Sequence, residues 1–436
     1  MWNARVSSAL VAVLLPVGLL LGGCAGSGAT VTSSTTASVD PSTVTGTVTF
    51  WDTSAPAEAV AVKALVSDFE KQYPNIKVAY TPVAFETAKE KYKDAAKVGQ
   101  APDVMRAEAG WTAEFASLGF LQPLDQTPLG KDTDAYLKLA FTSNEYQGQQ
   151  FGVPQVTDAA ALLCNGPLLK KAGVPVPRTW EDMKLGAAKV KAAGATFLYA
   201  PPQGYFTMPY VLSQGGQMID VAEKQVLINE APSVAGYQTA LDLISSGAAV
   251  APSGANPYTS QQQLFRAGKV ACIINGPWSV SDALSSGVFQ QNPDALTVNK
   301  IPNGDQAGAS LVGGQNYVVY AGSKSKDASY IFLGYLNSAA SQTRLANATG
   351  LLPSRQAAYE GVTNRFVKDW KPVMDAAKDS PWIPELSQMY ESMDLQWRKM
   401  YSKQETPQVG TDNMAKAWLQ FLPKDYTDDR LKTQSP

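Results

Sequence analysis

Short apolar runs alternate along the chain with longer segments in which apolar residues recur every three or four positions. The run TVTFW at 47–51 predicts a strand. Apolar residues at helical spacing, among them Ala64 and Phe69, predict a helix over 57–73. The order then repeats with a strand at IKVAYTPV, a helix at FETAKEKYKDAAKVG, a strand at PDVMRA and a short helix at WTAEFASLG. This alternation predicts an α/β fold with a mostly parallel sheet and helices on both faces.

The sequence FGVP at 151–154 is expected to interrupt this alternation of strands and helices, which then continues. Strands are predicted at DAAALLCN, ATFLYA and VACII, and helices at GPLLKKAG, at YFTMPYVLSQGG, and over 234–246 and 260–268. Beyond Pro353 the chain is predicted to be helical almost throughout. Ligands of open α/β sheets bind at the carboxyl ends of strands and between domains, so residues that follow strands are the candidates for function.

Composition and charge narrow the class of protein. The 436 residues, 45% of them hydrophobic, are too many for one ordinary core and favour two domains. A net charge of −2 with interspersed signs gives no basic surface for nucleic acid. The absence of histidine excludes Ser-His-Asp and Cys-His catalysis and histidine-ligated zinc. With three cysteines and no CxxC pair, we expect neither a metal site nor a cofactor.

The N-terminus is typical of a bacterial export signal. A short positively charged start is followed by an apolar stretch that is too short for a membrane span and ends in LGGC. This ending resembles the lipobox, which implies a signal peptide over 1–24 and lipidation of Cys24; the alternative is an ordinary signal peptide cut nearby. Residues 25–46 are rich in Ser, Thr and Gly and predict a flexible tether. We therefore expect the folded part to be held at the outer face of the cell membrane.

The two remaining cysteines, Cys164 and Cys272, lie in strand-like apolar runs. Export permits a disulfide between them, and two buried free thiols are equally compatible with the sequence.

Seven stretches together resemble one family, the extracellular solute-binding proteins of bacterial ABC importers of the maltose and maltodextrin type. They occur in the family's order from about Thr47 to beyond Tyr390, and they read VTFWDTS, ALVSDFEKQYPNIKV, APDVMRAEAGWTAEFASLGFLQPLD, FGVPQVTDAAALLCNGPLLKKAG, GYFTMPYVLSQGG, GKVACIINGPWSV and WIPELSQMY. The version with APDVMRAE is most similar to actinobacterial lipoproteins for malto-oligosaccharides, some of which take acarbose-like amino-sugar derivatives.

The resemblance implies a two-lobed clamp of the periplasmic-binding-protein type (type II), with three crossings between the lobes. The crossings are expected near 158–163, 311–317 and 350–355. The N-lobe would then contain 47–157 and 318–350, and the C-lobe 164–311 and 356–436. An oligosaccharide would bind in the cleft between the lobes, and the protein, expected to be a monomer, would deliver it to the membrane subunits of an ABC permease.

A neutral oligosaccharide offers C–H faces to aromatic rings and hydroxyl edges to carboxylates, amides and arginines. Such residues follow the predicted N-lobe strands, and the candidates there are Asp52, Ser54, Glu86, Arg106, Glu108 and Trp111. We expect Asp52 and Glu108 to accept hydroxyls and Arg106 to donate or to orient Glu108. The alternatives are structural: helix caps, a first-turn charge, a solvated Arg106–Glu108 ion pair and core tryptophans. The loop 106–111 differs from the best-known maltose-binding pattern.

The remaining candidates come from the resemblance. They are Asp158 in the first crossing, Gln203 and Tyr205 in the C-lobe, Trp278 after the strand VACII, Gly314 and Gln315 in the second crossing, Arg355 near the third, and Tyr390 at the end of WIPELSQMY. Tyr205, Trp278 and Tyr390 would be stacking platforms, and Gln203 replaces a carboxylate of the family pattern. The structural alternatives are caps, a helix start, a strand bulge, a surface arginine and core aromatic residues.

Other functions remain open at this point. The same clamp could bind an acarbose-like amino-oligosaccharide, trehalose or another disaccharide. A lipid-anchored glycoside hydrolase would need two carboxylates at a defined separation, and Asp52, Glu108 and Asp158 could supply them.

Overall fold

The computed structural model describes residues 40–434. The predicted signal peptide, Cys24 and most of the predicted tether lie outside these residues. The last part of the tether is structured, which corrects the prediction there: the backbone N–H of Ser42 donates to Asp40 Oδ1 at 2.9 Å, and Val44 packs against an apolar core. Gly46 already begins the first strand.

The strands follow in chain order. They are β1 Gly46–Asp52, β2 Ile76–Pro82, β3 Val104–Glu108, β4 Glu145–Tyr146, β5 Gln149–Gln150, β6 Gly152–Ala159, β7 Ala161–Asn165, β8 Thr196–Tyr199, β9 Ile219–Asp220, β10 Gln225–Val226, β11 Ala249–Val250, β12 Val270–Asn275, β13 Leu296–Asn299, β14 Val312–Val319 and β15 Leu352–Pro353.

The α-helices lie between and after the strands. They are α1 Pro56–Gln72, α2 Phe85–Lys97, α3 Trp111–Ser117, α4 Lys138–Thr142, α5 Gly166–Ala172, α6 Trp180–Ala192, α7 Met208–Ser213, α8 Ala231–Ser245, α9 Pro257–Arg266, α10 Trp278–Leu284, α11 Gly287–Gln291, α12 Lys326–Leu336, α13 Ala339–Thr349, α14 Arg365–Asp369, α15 Lys371–Met374, α16 Leu386–Tyr401, α17 Pro407–Phe421 and α18 Asp429–Gln434. Short 3₁₀ helices include Gly204–Thr207 and Gln356–Gly361. Within residues 40–434, none of these helices has the length and apolar character needed to cross a bilayer.

Two sheets organise the chain, as expected for the two-lobed α/β fold. The first has the order β15-β6-β14-β3-β1-β2 and the second β11-β8-β12-β7-β13. The prediction of mostly parallel sheets is wrong, because the strands next to the lobe crossings return antiparallel: β14 pairs antiparallel with both β3 and β6, and β7 pairs antiparallel with both β12 and β13. The parallel part of the first sheet is β3-β1-β2.

The chain changes sheets close to the three predicted crossings. Strands β6 and β7 belong to different sheets and are separated only by Ala160, so the strand predicted at DAAALLCN is two strands. The sequence FGVP does not interrupt the fold. Pro154 is tolerated inside β6 because the pairing register with β14 shifts between Gln315 and Asn316, next to its partner. The other crossings lie between β13 and β14 and after β15, while the lobe bounds stay a prediction.

A disulfide joins the two buried cysteines of the second sheet, which settles the alternative left open by the sequence. Cys164 of β7 and Cys272 of β12 are directly opposite each other, with Cα atoms 4.1 Å apart. The bond ties together the strands that lead to Ala160 and to Trp278, and so connects two edges of the candidate site described next.

Candidate functional site

Four of the predicted site residues form one group, which we call the acid–aromatic cluster: Glu108, Asp158, Tyr205 and Tyr390. Glu108 is the last residue of β3, and Asp158 lies near the end of β6, so both carboxyls come from the first sheet. Tyr205 lies in the 3₁₀ helix before α7, and Tyr390 lies in α16. The two rings pack edge to face with centroids 5.8 Å apart. Acids and aromatic rings from different parts of the chain therefore meet at one place.

Gly313 leaves room for the Asp158 carboxyl. A Cβ atom at position 313 would lie 2.6 Å from Asp158 Oδ1 and 3.8 Å from Tyr205 Oη. The Tyr205 hydroxyl is 3.5 Å from the carbonyl oxygen of Leu311, the residue directly before β14. A side chain at position 313 would thus fill the space in which Asp158 approaches Tyr205.

Burial shifts the protonation of the cluster. Desolvation and, after it, the negative charge of the nearby Glu108 carboxyl raise the pKa of Asp158 to about 8, while Arg106 opposes the shift. Desolvation also raises the pKa of Glu108 to about 7, although the backbone N–H of Gly110 donates to its Oε2 at 3.0 Å and Lys89 opposes the shift. Burial and the negative charge of Asp158 raise the pKa of Tyr205 well above its ordinary value. Near neutral pH the two carboxyls are therefore protonated to a much larger extent than they would be in water.

Strand β14 lines the same region with backbone and amide groups. Gly314 has a φ of 144°, and a Cβ atom there would lie 2.2 Å from the carbonyl oxygen of Val156, so only glycine fits. Gln315 is paired in the sheet with Glu108, and its buried Oε1 has no hydrogen-bond partner among the described residues. The close strand approach at Gly314 and the free acceptor on Gln315 both lie beside the acid pair.

Trp278 lies where the two lobes meet. It begins α10, which Gly276 and Pro277 separate from β12, and its half-buried ring packs against the apolar cores of both lobes. The indole N–H donates to Tyr258 Oη at 3.0 Å, and the ring folds back over Gly276, where a Cβ atom would lie 1.9 Å from it. The glycine in NGPW is thus required for the position of the tryptophan ring.

Asp52 and Ser54 are held in internal hydrogen bonds. Asp52 is 1% exposed; its Oδ2 accepts from the Tyr80 hydroxyl at 2.6 Å and its Oδ1 from the Ser54 hydroxyl at 2.8 Å. The carboxylate is therefore already hydrogen-bonded within the N-lobe, and its role as a hydroxyl acceptor stays a prediction.

Arg106 pairs with a residue that the sequence did not suggest. Its guanidinium contacts Glu58 Oε2 at 3.4 Å and donates to Gln155 Oε1 at 2.6 Å. The predicted pairing with Glu108, whether solvated or orienting, is wrong, because Arg106 is only 4% exposed and its nitrogens contact Thr53, Glu58 and Gln155. Arg106 instead neutralises a buried acid beneath the site.

Trp111 and Glu86 belong to the first turns of α3 and α2. The Trp111 ring is buried and stacks on Phe85 with centroids 5.1 Å apart. Phe85 is 43% exposed and begins α2, and Glu86, in the first turn of that helix, is exposed. Stacking on Phe85 uses one face of the Trp111 ring.

Gln203 and Arg355 are not brought into the cluster. Gln203 is exposed and lines a separate cavity of about 260 Å³. Arg355 donates to the Asn337 carbonyl at 2.7 Å and to Tyr136 Oη at 3.0 Å, and its guanidinium lies 4.4 Å from the centre of the Tyr136 ring. These contacts fix Arg355 to the N-lobe beside the third crossing.

Sequence reasoning missed Glu58 and Tyr258. Glu58 is buried in the first turn of α1; burial raises its pKa despite Arg106, and its Oε1 has no partner among the described residues. An acid three residues after the N-cap is a recognisable capping signal, and the N–H of the N-cap Ala55 does donate to Glu58 Oε2 at 3.3 Å. Tyr258, in the sequence NPYTS at the start of α9, could have been noticed as another aromatic residue at a helix start.

Comparison with known proteins identifies the family. The sequence model of the family described as bacterial extracellular solute-binding protein matches residues 64–374. The maltotriose-binding protein of Pyrococcus abyssi is 23% identical over 296 residues, which are 66% of this chain and 62% of that protein. The maltooligosaccharide ABC transporter solute-binding lipoprotein of Streptococcus pneumoniae is 26% identical over 67% of this chain and 69% of its own length.

Among solved structures, the GacH receptor of Streptomyces glaucescens, studied unliganded and with acarbose, is 39% identical with a TM-score of 0.85; the match covers 88% of this chain and 100% of that one. The maltose-bound MalE3 of T. maritima is 25% identical with a TM-score of 0.77, covering 86% of this chain and 100% of that one. The family model matches well over half of the sequence, and the chain therefore belongs to the bacterial extracellular solute-binding proteins.

Proposed function

We propose that this protein captures α-1,4-linked malto-oligosaccharides between its two lobes for a sugar ABC importer. The observation that carries the proposal is the acid–aromatic cluster, in which Glu108 and Asp158 of one lobe face Tyr205 and Tyr390 of the other. Carboxyls bind the hydroxyl edges of a sugar ring, and aromatic rings cover its C–H faces. The likeness to receptors named for maltotriose, malto-oligosaccharide and acarbose supports this ligand class.

Contacts of this kind can supply the binding free energy that a sugar receptor needs. A micromolar Kd corresponds to about −8 kcal/mol. Several charge-assisted hydrogen bonds contribute about 1.5–3 kcal/mol each. Aromatic contacts add about 0.5–1.5 kcal/mol each beyond buried area. Together these contributions exceed the free energy of micromolar binding, and the excess offsets desolvation and the lost rotational freedom of the ligand.

The proposal includes delivery at the membrane. A lipid on Cys24 would hold the protein at the outer face of the cell membrane, and the loaded monomer would pass its sugar to the permease. The LGGC sequence and the Streptococcus pneumoniae relative named as a lipoprotein support this anchoring.

Titration calorimetry of the purified protein against maltose, maltotriose, maltotetraose, acarbose, trehalose, cellobiose and galactose tests the ligand class. We expect binding of the α-1,4 glucans with Kd in the micromolar range or below. Binding of trehalose alone would mean that trehalose, and not a malto-oligosaccharide, is the ligand. Failure to bind any of these sugars would refute the proposed function. We also propose that no catalysis occurs, so release of glucose from maltotetraose would contradict the binding role.

Trp278→Ala is expected to weaken maltotriose binding at least tenfold, because it removes the ring that contacts both lobes. The measurement is calorimetric Kd, with Trp278→Phe as a variant that keeps a smaller ring. Tyr258→Phe serves as the matched control, since it removes only the acceptor of the indole N–H and should cost less. An unchanged Kd in Trp278→Ala, with a large fall in melting temperature, would mean that the ring serves the core alone.

An amino-oligosaccharide such as acarbose is a second candidate ligand, favoured by the two acids within one cluster. An ammonium group beside Glu108 and Asp158 would replace the protons that burial holds on these carboxyls. At pH 9 both carboxyls, with pKa values of about 7 and about 8, are mainly ionised in the free protein.

At pH 9 we expect acarbose to take up about one proton on binding, because its weakly basic amine must become cationic between the carboxylates. Maltotetraose has no group that can take up this proton. Calorimetry in two buffers of different ionisation enthalpy measures the uptake, and Asp158→Asn should reduce it. Equal proton exchange for the two sugars would contradict the placement of the amine at this acid pair.

A further inference from the structure

An ion-paired lysine links the two lobes. The ammonium nitrogen of Lys89, in α2, lies 3.5 Å from Glu391 Oε1 of α16 and 3.8 Å from Glu114 Oε2 of α3. Helix α2 packs on the first sheet through Ala88 and Tyr92, which share an apolar core with β3 and β14. Helix α16 packs instead on the apolar core of the second sheet. The contact between Lys89 and Glu391 therefore joins elements that belong to different lobes.

Lys89 is held in place from within its own lobe. Its side chain is only 15% exposed, and that of Glu114 is 12% exposed. Glu114 Oε1 accepts from the Lys93 ammonium at 2.7 Å, whereas the buried Oε2 has no hydrogen-bond partner among the described residues and lies 3.8 Å from the Lys89 ammonium. Glu114 thus positions Lys89 on the N-lobe side, and Glu391 is the partner that the other lobe supplies.

Carboxylates of both lobes meet around this lysine. Burial and, after it, the negative charge of Glu114 raise the pKa of Glu385, the N-cap residue of α16. An acid of the C-lobe is therefore close enough to an acid of the N-lobe to be repelled by it. Lys89 also opposes the raised pKa of Glu108 in the acid–aromatic cluster. Contact between the lobes brings like charges together here, and Lys89 supplies the positive charge that offsets their repulsion.

The ion pair belongs to the same interlobe contact as the acid–aromatic cluster. Glu391 directly follows Tyr390, and its side chain is 72% exposed. A Cβ atom at Gly110 would lie 3.2 Å from Leu386 Cδ2, so the start of α16 packs directly on the loop that follows β3. The movement that brings α16 onto this loop thus brings Glu391 to Lys89 as well.

We propose that Lys89 and Glu391 form an ionic latch, which stabilises the closed arrangement of the lobes and slows release of the bound sugar. The inference rests on the proposed sugar-binding function. The two charges come from different lobes and pair only when the lobes are together, so the pair shifts the equilibrium toward the closed form whichever sugar is bound. Since Glu391 is largely exposed, the contribution is that of a surface pair, and salt weakens it. The latch therefore sets the residence time of the sugar and not the choice among sugars.

Glu391→Gln tests the latch, because it removes the interlobe charge pair and keeps the size of the side chain. We expect the dissociation rates of maltotriose and maltotetraose to rise by the same factor, about three- to fivefold, while the association rates stay nearly unchanged. Stopped-flow measurement of the intrinsic tryptophan fluorescence gives both rates. The difference from the wild type should shrink at about 0.5 M salt, where charges of exposed pairs are screened.

Glu90→Gln is the matched control. Glu90 is 62% exposed and lies 3.8 Å from the same Lys89 ammonium and 2.9 Å from that of Lys93, but all three residues belong to α2. The control removes the same charge next to the same lysine without touching the other lobe, so its release rates should equal those of the wild type. In a Lys89→Met background, Glu391→Gln should have no further effect, since its partner is gone.

Three results would overturn the latch. They are release of both sugars from Glu391→Gln at the rate of Glu90→Gln, an unequal effect on the two sugars, and an undiminished effect of Glu391→Gln in the Lys89→Met background. Each of them leaves the sugar-binding function intact. Failure of the wild type to bind any of the sugars would instead refute the proposed function itself.

Discussion

Arg106→Leu should lower the free energy of unfolding by about 3–5 kcal/mol, because it leaves the Glu58 carboxyl buried without its counter-charge. The side chains of Arg106 and Glu58 are 5% and 3% exposed, so water cannot replace the lost partner. Urea unfolding of the ligand-free protein measures the change. The double variant Arg106→Leu/Glu58→Leu should recover a large part of the loss, since replacing both members of a buried pair with apolar residues is far less costly than removing one.

Arg344→Leu gives the matched control for this experiment. Arg344 pairs with Asp68 at 2.8 Å in the same lobe, but the two side chains are 51% and 35% exposed. An exposed pair of this kind contributes about 0–1 kcal/mol. If Arg106→Leu instead abolished sugar binding with an unchanged free energy of unfolding, Arg106 would be a ligand donor, as the sequence suggested, and not the counter-charge of a buried acid.

Replacing both Cys164 and Cys272 with alanine is expected to lower the free energy of unfolding by about 4–5 kcal/mol, the chain-entropy value for a loop of roughly 100 residues. The cysteines are 108 residues apart, so the bond restrains a large part of the unfolded chain. Sugar affinity should be unchanged in the folded variant, because β7 and β12 stay paired by backbone hydrogen bonds.

The single variants distinguish a disulfide from two packed thiols. Each single replacement breaks the same bond, so each should cost nearly as much as the double replacement. Two free thiols would give smaller, additive losses. A reducing agent should also destabilise the wild type and leave the double variant unaffected.

Much of the site was accessible from the sequence, because aromatic residues and acids follow predicted strands. The sequence and the family resemblance predict Tyr205, Tyr390, Glu108 and Asp158 as site residues, and the structure brings them together. The prediction for Arg106 is wrong for a physical reason: alternation in β3 places it on the same side as Glu108, yet its charged partner is Glu58 of α1, which lies far away in the sequence. Pairings of this kind depend on packing between elements and leave no periodic signal in the sequence.

The sequence by itself determined the alternation of strands and helices, the two-lobed fold class and the residue types at the strand ends, because these follow from local periodicity and from motifs in a fixed order. Only the tertiary structure decided that Pro154 lies inside a strand, since a register shift in the pairing of β6 with β14 accommodates it. It also decided that Cys164 faces Cys272 and that Gln203 lines a cavity to which Tyr205 does not contribute. These features depend on the contacts between segments far apart in the chain, and such contacts exist only after the sheets have formed.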